Sequence, residues 1–490
     1  MSPFWKNFPL FCLSRRRASS KHVTEPQEDD FSRGSVRDWY VAGIRVLRIR
    51  KLPHRSRVEI CGLPLLQIRR SACKTRYCCG RIELLKLRVS GPLSGSAWDG
   101  PLFLPRERHG RRCLFWNIGS LAFQDERSGV ARVTRCLLRS LRSMHSFGYD
   151  VYPVYTTGDR AGYVHARSFL RRMEGVCGNE ALDEPVIFQE GDLLLTPIPD
   201  VREVETHFHA LKTLQNMGVA VLFFVHDLIP LQHPAFCPDA FRENFARWLP
   251  LISRFDGVLT ISEAVAEEYR AWRRENVKDD APFFVNWFHL GSDIESVSAS
   301  QGLPDSAVAV LSAMKSRPSF LEVSTVEPRK GYGQALAAFE RLWAKGIDAN
   351  FVIVGRKGWK IDKLAGKIDK HPENGKRLFW LKGIGDEYLD KVYESASCVL
   401  FPSEAEGFGL AVVEGARRGK PLILRDLPVF REIAGDHATY FSGLDPQPLA
   451  DCIETWLEDL KKGRVIPSSG IKLLTWEESA EMLLSRLPLK

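Results

Sequence analysis

From residue 111 onward, short apolar runs alternate with longer amphipathic stretches. Few folds accept that alternation besides open parallel sheets flanked by helices. The first series predicts strands at 113–118, 151–155, 193–196, 220–225 and 257–261, with helices at 130–144, 204–217, 241–252 and 263–275. Residues 276–318 contain polar and Pro-containing pieces and read as a hinge. A second series follows, with strands at 320–325, 350–354, 378–381, 397–401 and 422–424 and helices at 332–345, 360–368, 386–395 and 410–418. Two such series predict an α/β chain of two doubly wound, Rossmann-like domains. Their ligand cleft belongs between them, beyond the carboxyl ends of the strands.

The stretch 402–415 says what that cleft is for. A buried strand leads into a Gly-rich turn and then a helix that Gly419 stops. The amides of Phe408, Gly409 and Leu410 at the helix start suit phosphate, and the helix dipole favours negative charge there. Glu406 and Glu414 flank this turn. Carboxylates repel phosphate, so their task is to accept hydrogen bonds from hydroxyls. A ligand with both phosphates and hydroxyls is a nucleotide sugar.

Residues 1–100 differ from the rest. They hold 20 Lys+Arg against 8 Asp+Glu, whereas the other 390 residues hold 49 against 52. A basic segment of this kind suits an acidic surface such as anionic lipid. No nucleic-acid motif accompanies it. Three glycine-led units begin at Gly43, Gly62 and Gly80, each a short apolar strand with interleaved basic positions. They read as β-hairpins of an oligomerisation or acceptor-delivery module, or of a β-rich accessory. Residues 14–37 and much of 89–110 read as disordered. The 11 cysteines lack metal-ligand spacing and read as reduced thiols. No apolar run reaches the length of a bilayer span. The N-terminal apolar patch precedes its arginines, the reverse of a signal peptide. The expected location is cytoplasmic, with peripheral contact at the inner membrane face.

Four stretches in order resemble the retaining glycosyltransferases of the GT-B fold, glycosyltransferase family 4 (group 1), and among them bacterial mannosyltransferases of surface polysaccharide synthesis. They are 324–331 (Ser-Thr-Val-Glu-Pro-Arg-Lys-Gly), 352–355 continuing to Gly358-Trp359, 401–414 with Glu406 and Glu414, and 426–432 (Asp-Leu-Pro-Val-Phe-Arg-Glu). The first half is similar at 128–133, 225–230, 260–263 and 290–293. The resemblance divides the chain into a basic extension (1–110), an acceptor domain (111–300), a donor domain (301–472) and a C-terminal helix (473–490) that packs back on the first domain.

The same resemblance implies roles. His226, Arg329, Lys330 and Glu406 are the catalytic residues. Gly129, Glu406, Gly407, Phe408, Gly409, Leu410 and Glu414 bind the donor. Glu406 accepts from donor-sugar hydroxyls and Glu414 holds the ribose diol. Arg329 and Lys330 stabilise the departing diphosphate in place of a metal ion, and no Asp-x-Asp pair is present. Thr325 stands where many relatives have arginine, so Arg329 supplies the second cation. Asp227 orients the histidine or serves the strand end. Arg127 and Arg132 face an acceptor phosphate or solvent. No cofactor or metal is implied. The donor is GDP-mannose, with rhamnose and glucose donors also known among similar sequences, and the acceptor is a glycan or lipid-linked glycan. Other readings are a sugar phosphorylase, a nucleotide-sugar epimerase or a non-catalytic sugar-binding protein.

Overall fold

The structure is a computed structural model. It describes residues 111–488 apart from 125–127, 145–147, 158–161, 175–182, 279–280 and 294–301, and the backbone of eight strands within 23–88. Two compact units divide the chain near residue 98. Among the described residues no helix is long and apolar enough to cross a membrane.

The N-terminal unit is an antiparallel meander. Strands Val23–Thr24, Gly34–Val41, Ile44–Leu52, Arg55–Ile60, Leu63–Ser71, Lys74–Cys79 and Ile82–Arg88 pair in that order, and Glu28–Phe31 also pairs with Gly34–Val41. The three glycine-led units therefore supply alternate strands of the sheet. The strands at 23–24, 28–31 and 34–37 correct the expectation of disorder at those positions, because pairing with a neighbour satisfies a polar backbone, and residues 14–22 lie outside the described residues. Residues 89–110 lie outside the described residues. Register sets Arg50 opposite Arg57, Arg55 opposite Arg69, Arg69 opposite Arg76, Arg76 opposite Lys86 and Lys74 opposite Arg88.

The larger unit holds two sheets. One is ordered Tyr163–His165, Tyr149–Thr156, Arg112–Asn117, Leu193–Thr196, Ala220–Val225, Gly257–Thr260 and Phe284–Trp287. It is parallel except for its first, short strand. The other is ordered Leu378–Leu381, Asn350–Val354, Ser319–Val323, Cys398–Phe401, Leu422–Arg425 and Thr439–Phe441, parallel throughout. Helices cover both faces, so strands such as Leu193–Thr196, Asn350–Val354 and Cys398–Phe401 are buried at every position. That is why their sequences read as unbroken apolar runs.

Three expectations change. The helix over 204–217 is two helices, Val201–Thr206 and Phe208–Asn216, broken at His207, whose amide turns back to the Glu203 carbonyl. The stretch read as a hinge contains the strand Phe284–Trp287 and the helix Ala307–Ser316. The strand is only half buried, and the helix, though seven of its ten residues are apolar, buries just Ala307 and Met314, so its apolar positions form no clear single face. Beyond 424 the helices Pro428–Ala434 and Pro446–Lys461 and the strand Thr439–Phe441 complete the second lobe.

The helix Trp476–Ser485 packs on the first lobe. Trp476, Ala480, Leu483 and Leu484 join Leu114, Trp116, Leu137 and Leu141 in one core cluster, which Phe408 and Val413 of the second lobe also enter. A capping box of Thr475 and Glu478 starts that helix. Asp293 holds Trp476 at both its amide (2.6 Å) and its indole N–H (3.1 Å).

Candidate active site

Strand Ala220–Val225 of the first lobe ends in His226 and Asp227, and strand Cys398–Phe401 of the second ends in the turn 402–409. These two ends touch. A Cβ on Gly407 would stand 2.0 Å from the His226 carbonyl oxygen, so only glycine permits the approach. The Gly407 carbonyl accepts a 2.7 Å hydrogen bond from Ser262 Oγ of the first lobe. Gly409 takes φ +91° and opens the helix Leu410–Arg417, where no backbone partner uses the amides of Phe408, Gly409 or Leu410 among the described residues. Those N–H groups are the unfilled donors of a helix start.

Arg329 and Lys330 come to the same place on the turn Pro328–Lys330, just after strand Ser319–Val323. Lys330 Nζ lies 2.5 Å from Glu406 Oε1, and Arg329 Nη1 lies 3.0 Å from Glu406 Oε2 and 3.1 Å from the Ala405 carbonyl. Arg329 Nε is also 3.3 Å from Glu327. Burial works to raise the Glu406 carboxyl, but Lys330 and Arg329 outweigh it and hold it down to about 2. The Lys330 ammonium is pushed down by burial, against the pull of Glu406. Burial would lower Arg329 too, yet Glu406, Asp227 and Glu327 raise it. The result is two buried cations held on one deprotonated carboxylate.

His226 Nε2 lies 2.7 Å from the Pro197 carbonyl and donates to it, which leaves Nδ1 as an acceptor. Burial lowers its pKa, so the ring is neutral at pH 7. Asp227 Oδ1 accepts from the Ile229 amide at 3.1 Å, a strand-end role.

His226, Arg329, Lys330, Glu406 and Gly407 thus converge, with Gly409 and Leu410 beside them. Phe408 differs: its side chain is buried in the core, 5.6 Å from the His289 ring by centroids, so only its amide addresses the cleft. Glu414 stands further along the helix and is buried against Arg132 of the first lobe rather than in the Lys330 cluster. Arg132, whose side chain is 38% exposed, is thus paired across the lobes with Glu414. Gly129 begins the helix that carries Arg132, behind the Ser128 cap, and a Cβ there would meet nothing within 4 Å. Arg127 lies outside the described residues.

The sequence reading passed over several polar residues here. Glu322 is fully buried in strand Ser319–Val323 with neither carboxyl oxygen hydrogen-bonded among the described residues, and burial pushes it well above the carboxylate range. A carboxylate inside the run Phe320-Leu321-Glu322-Val323 was the available signal. In the first lobe Asn117 donates to Glu203 at 2.6 Å, and burial raises that carboxyl to about 7. Glu432 spans the lobes, 2.6 Å from His289 Nε2 and capping the amides of Glu263 (2.7 Å) and Ala264 (2.8 Å). Trp359 and Lys360 likewise bond the carbonyls of Phe236 (2.7 Å) and Cys237 (2.6 Å).

Residues 308–471 match the family of glycosyl transferases group 1. The chain is 39% identical over 387 residues to the serotype-specific mannosyltransferase WbdA of Escherichia coli, covering 78% of this chain and 47% of that protein. It is 27% identical over 164 residues to the O-antigen chain mannosyltransferase B of Escherichia coli, covering 32% of this chain and 42% of that one. The chain spans about half the length of the curated relatives it matches first. Among solved structures, a sucrose-phosphate synthase from Thermosynechococcus elongatus aligns with a TM-score of 0.53 at 18% identity, over 76% of this chain and 97% of that one. Anabaena HepE in complex with UDP-glucose aligns at 0.51 and 16% identity, over 77% and 100%. These likenesses share the two-lobed GT-B fold. Residues 308–471 accordingly form a group 1 glycosyl transferase domain, set as the second lobe of a GT-B chain.

Proposed function

We propose that this chain is a retaining mannosyltransferase of cell-surface polysaccharide synthesis, moving mannose from GDP-mannose to a glycan or lipid-linked glycan. The observation that carries it is the convergence of Arg329, Lys330 and Glu406 on a helix-start turn that touches His226 across the cleft. The likeness to WbdA favours mannose and favours transfer over the phosphorylase, epimerase and non-catalytic readings.

The chemistry follows from where charge grows. Breaking the sugar–phosphate bond puts negative charge on the departing diphosphate, and Arg329, Lys330 and the free amides at the helix start are placed to receive it. Glu406, already turned toward both cations, accepts from sugar hydroxyls. The acceptor hydroxyl attacks from the face the diphosphate leaves, and its proton passes to the leaving phosphate oxygen. His226, neutral, orients the sugar through Nδ1. The two cations do the work of a metal ion, and lobe closure supplies orientation and excludes water.

The test is product formation from GDP-mannose with a mannan-oligosaccharide acceptor, in EDTA and with product anomers assigned by NMR. An axial α-linked product in EDTA supports the reading; transfer only from another nucleotide sugar, or only with added metal, revises the donor or the metal-free mechanism.

The basic excess of residues 1–100, 20 Lys+Arg against 8 Asp+Glu, supports peripheral contact with anionic membrane. Co-sedimentation with phosphatidylglycerol vesicles tests this: partitioning unchanged after removal of residues 1–100 would refute it.

A further inference from the structure

Glu414 sits in the second turn of the helix Leu410–Arg417 and is 6% exposed. Its Oε1 accepts from Arg132 Nη1, on the first turn of Gly129–Ser143 in the opposite lobe, 282 residues away in sequence. Among the described residues no other group hydrogen-bonds that carboxylate. Burial alone would lower the Arg132 guanidinium, but Glu414 more than offsets it.

Three physical points bear on this pair. A buried carboxylate without a partner is costly, so one cation makes Glu414 tolerable as an anion. The terminal torsion of a glutamate is broad and soft, and a bond to one oxygen fixes it. The second oxygen then keeps its lone pairs, and a carboxylate only accepts, which suits a donor of hydroxyl hydrogens.

We propose that Arg132 is a positioning residue for the donor. It pins Glu414 by Oε1 so that Oε2 is preset for the ribose hydroxyls, and because it comes from the acceptor lobe it makes nucleotide affinity depend on the lobes being closed. The inference rests on the reading of Glu414 as the ribose-binding carboxylate. Preset groups gain affinity by removing an ordering cost from binding, and here that ordering is delivered by the other half of the molecule. Closure and nucleotide binding are then reciprocally linked.

Calorimetric titration of the full chain with GDP and with 2′,3′-dideoxy-GDP tests it, using the wild type, Arg132→Gln, Glu414→Gln and the double variant, with melting curves to confirm that each is folded. Arg132→Gln should weaken GDP about tenfold, the scale of one charge-assisted contact, and leave dideoxy-GDP unchanged. The double variant should lose no more than Glu414→Gln alone. Equal losses for both nucleotides, no loss, or tighter GDP binding by Arg132→Gln each overturns the proposal, the last by making Arg132 a competitor for Glu414. If the wild type does not distinguish GDP from dideoxy-GDP, the ribose reading of Glu414 fails first, and the proposal with it. Should Arg132→Gln not fold, Arg132→Lys, which keeps charge and loses the planar fork, serves the same comparison.

Discussion

Lys330 keeps its charge in a place where burial works against it, and Glu406 is what sustains it. Replacing Lys330 with Ala leaves Glu406 with Arg329 alone and removes a donor aimed at the leaving group. We expect kcat to fall by about 10²–10³, read from initial rates at saturating donor; an unchanged kcat would remove Lys330 from the reaction. Glu406 stays ionised far below neutrality. Its folded value, about 2, lies under the ordinary carboxylate value of about 4.3. Its contribution to stability is therefore full above the ordinary value and is lost as pH falls toward 2. Glu203 behaves in the opposite sense. Its folded value, about 7, lies above the ordinary one, so the fold favours the neutral acid and loses stability as pH rises from about 4.3 through 7. Glu203→Gln mimics the neutral acid and keeps an oxygen for Asn117. Its melting temperature should exceed the wild type's by a few degrees at pH 8, for roughly 2 kcal/mol, with the gap closing at pH 5. Equal gaps at both pH values would mean that Glu203 is ionised in the fold.

Elements decide how closely the two lobes approach. The turn 402–409 meets the end of strand Ala220–Val225 at Gly407, and there is no space for a methyl group. Gly407→Ala should push the lobes apart, lower kcat/KM at least tenfold and, by separating Arg132 from Glu414, weaken a nucleoside diphosphate about as much as Arg132→Gln does. Steady-state kinetics beside a nucleotide titration would show both losses, and wild-type kinetics would count against a closed working state. The strand, turn and helix at 398–417 were legible in sequence because a strand covered on both faces shows as an apolar run and a helix start shows as glycine. Glu406 and Glu414 were legible for the same reason, since each has a fixed place in that unit. What escaped were features set by distant packing. Arg132 looks like any arginine on a helix until its lobe faces Glu414. The ring of Phe408, a residue read from sequence for its amide, has core neighbours available only after the C-terminal helix returns. The break at His207 escaped because the apolar spacing of 204–217 runs straight through it.

At the scale of the molecule, the second lobe is an insertion. The chain builds the first lobe, leaves it after Phe284–Trp287, completes the second lobe, and returns with Trp476–Ser485. Trp476 is 1% exposed, and its loss would open a cavity in the first lobe's core. Trp476→Ala should cost about 3–5 kcal/mol, seen as an earlier urea midpoint for the first lobe. If the variant melts like the wild type, the helix is a surface addition rather than part of that core. The return also joins the lobes by two covalent crossings, so they open as jaws on a shared seam instead of swivelling freely. A ribosome releases this chain in one direction, and the early lobe must wait for its last wedge of hydrophobic surface until the later lobe has been made. Birth order and assembly order are therefore reversed: the half that emerges first is the half sealed last.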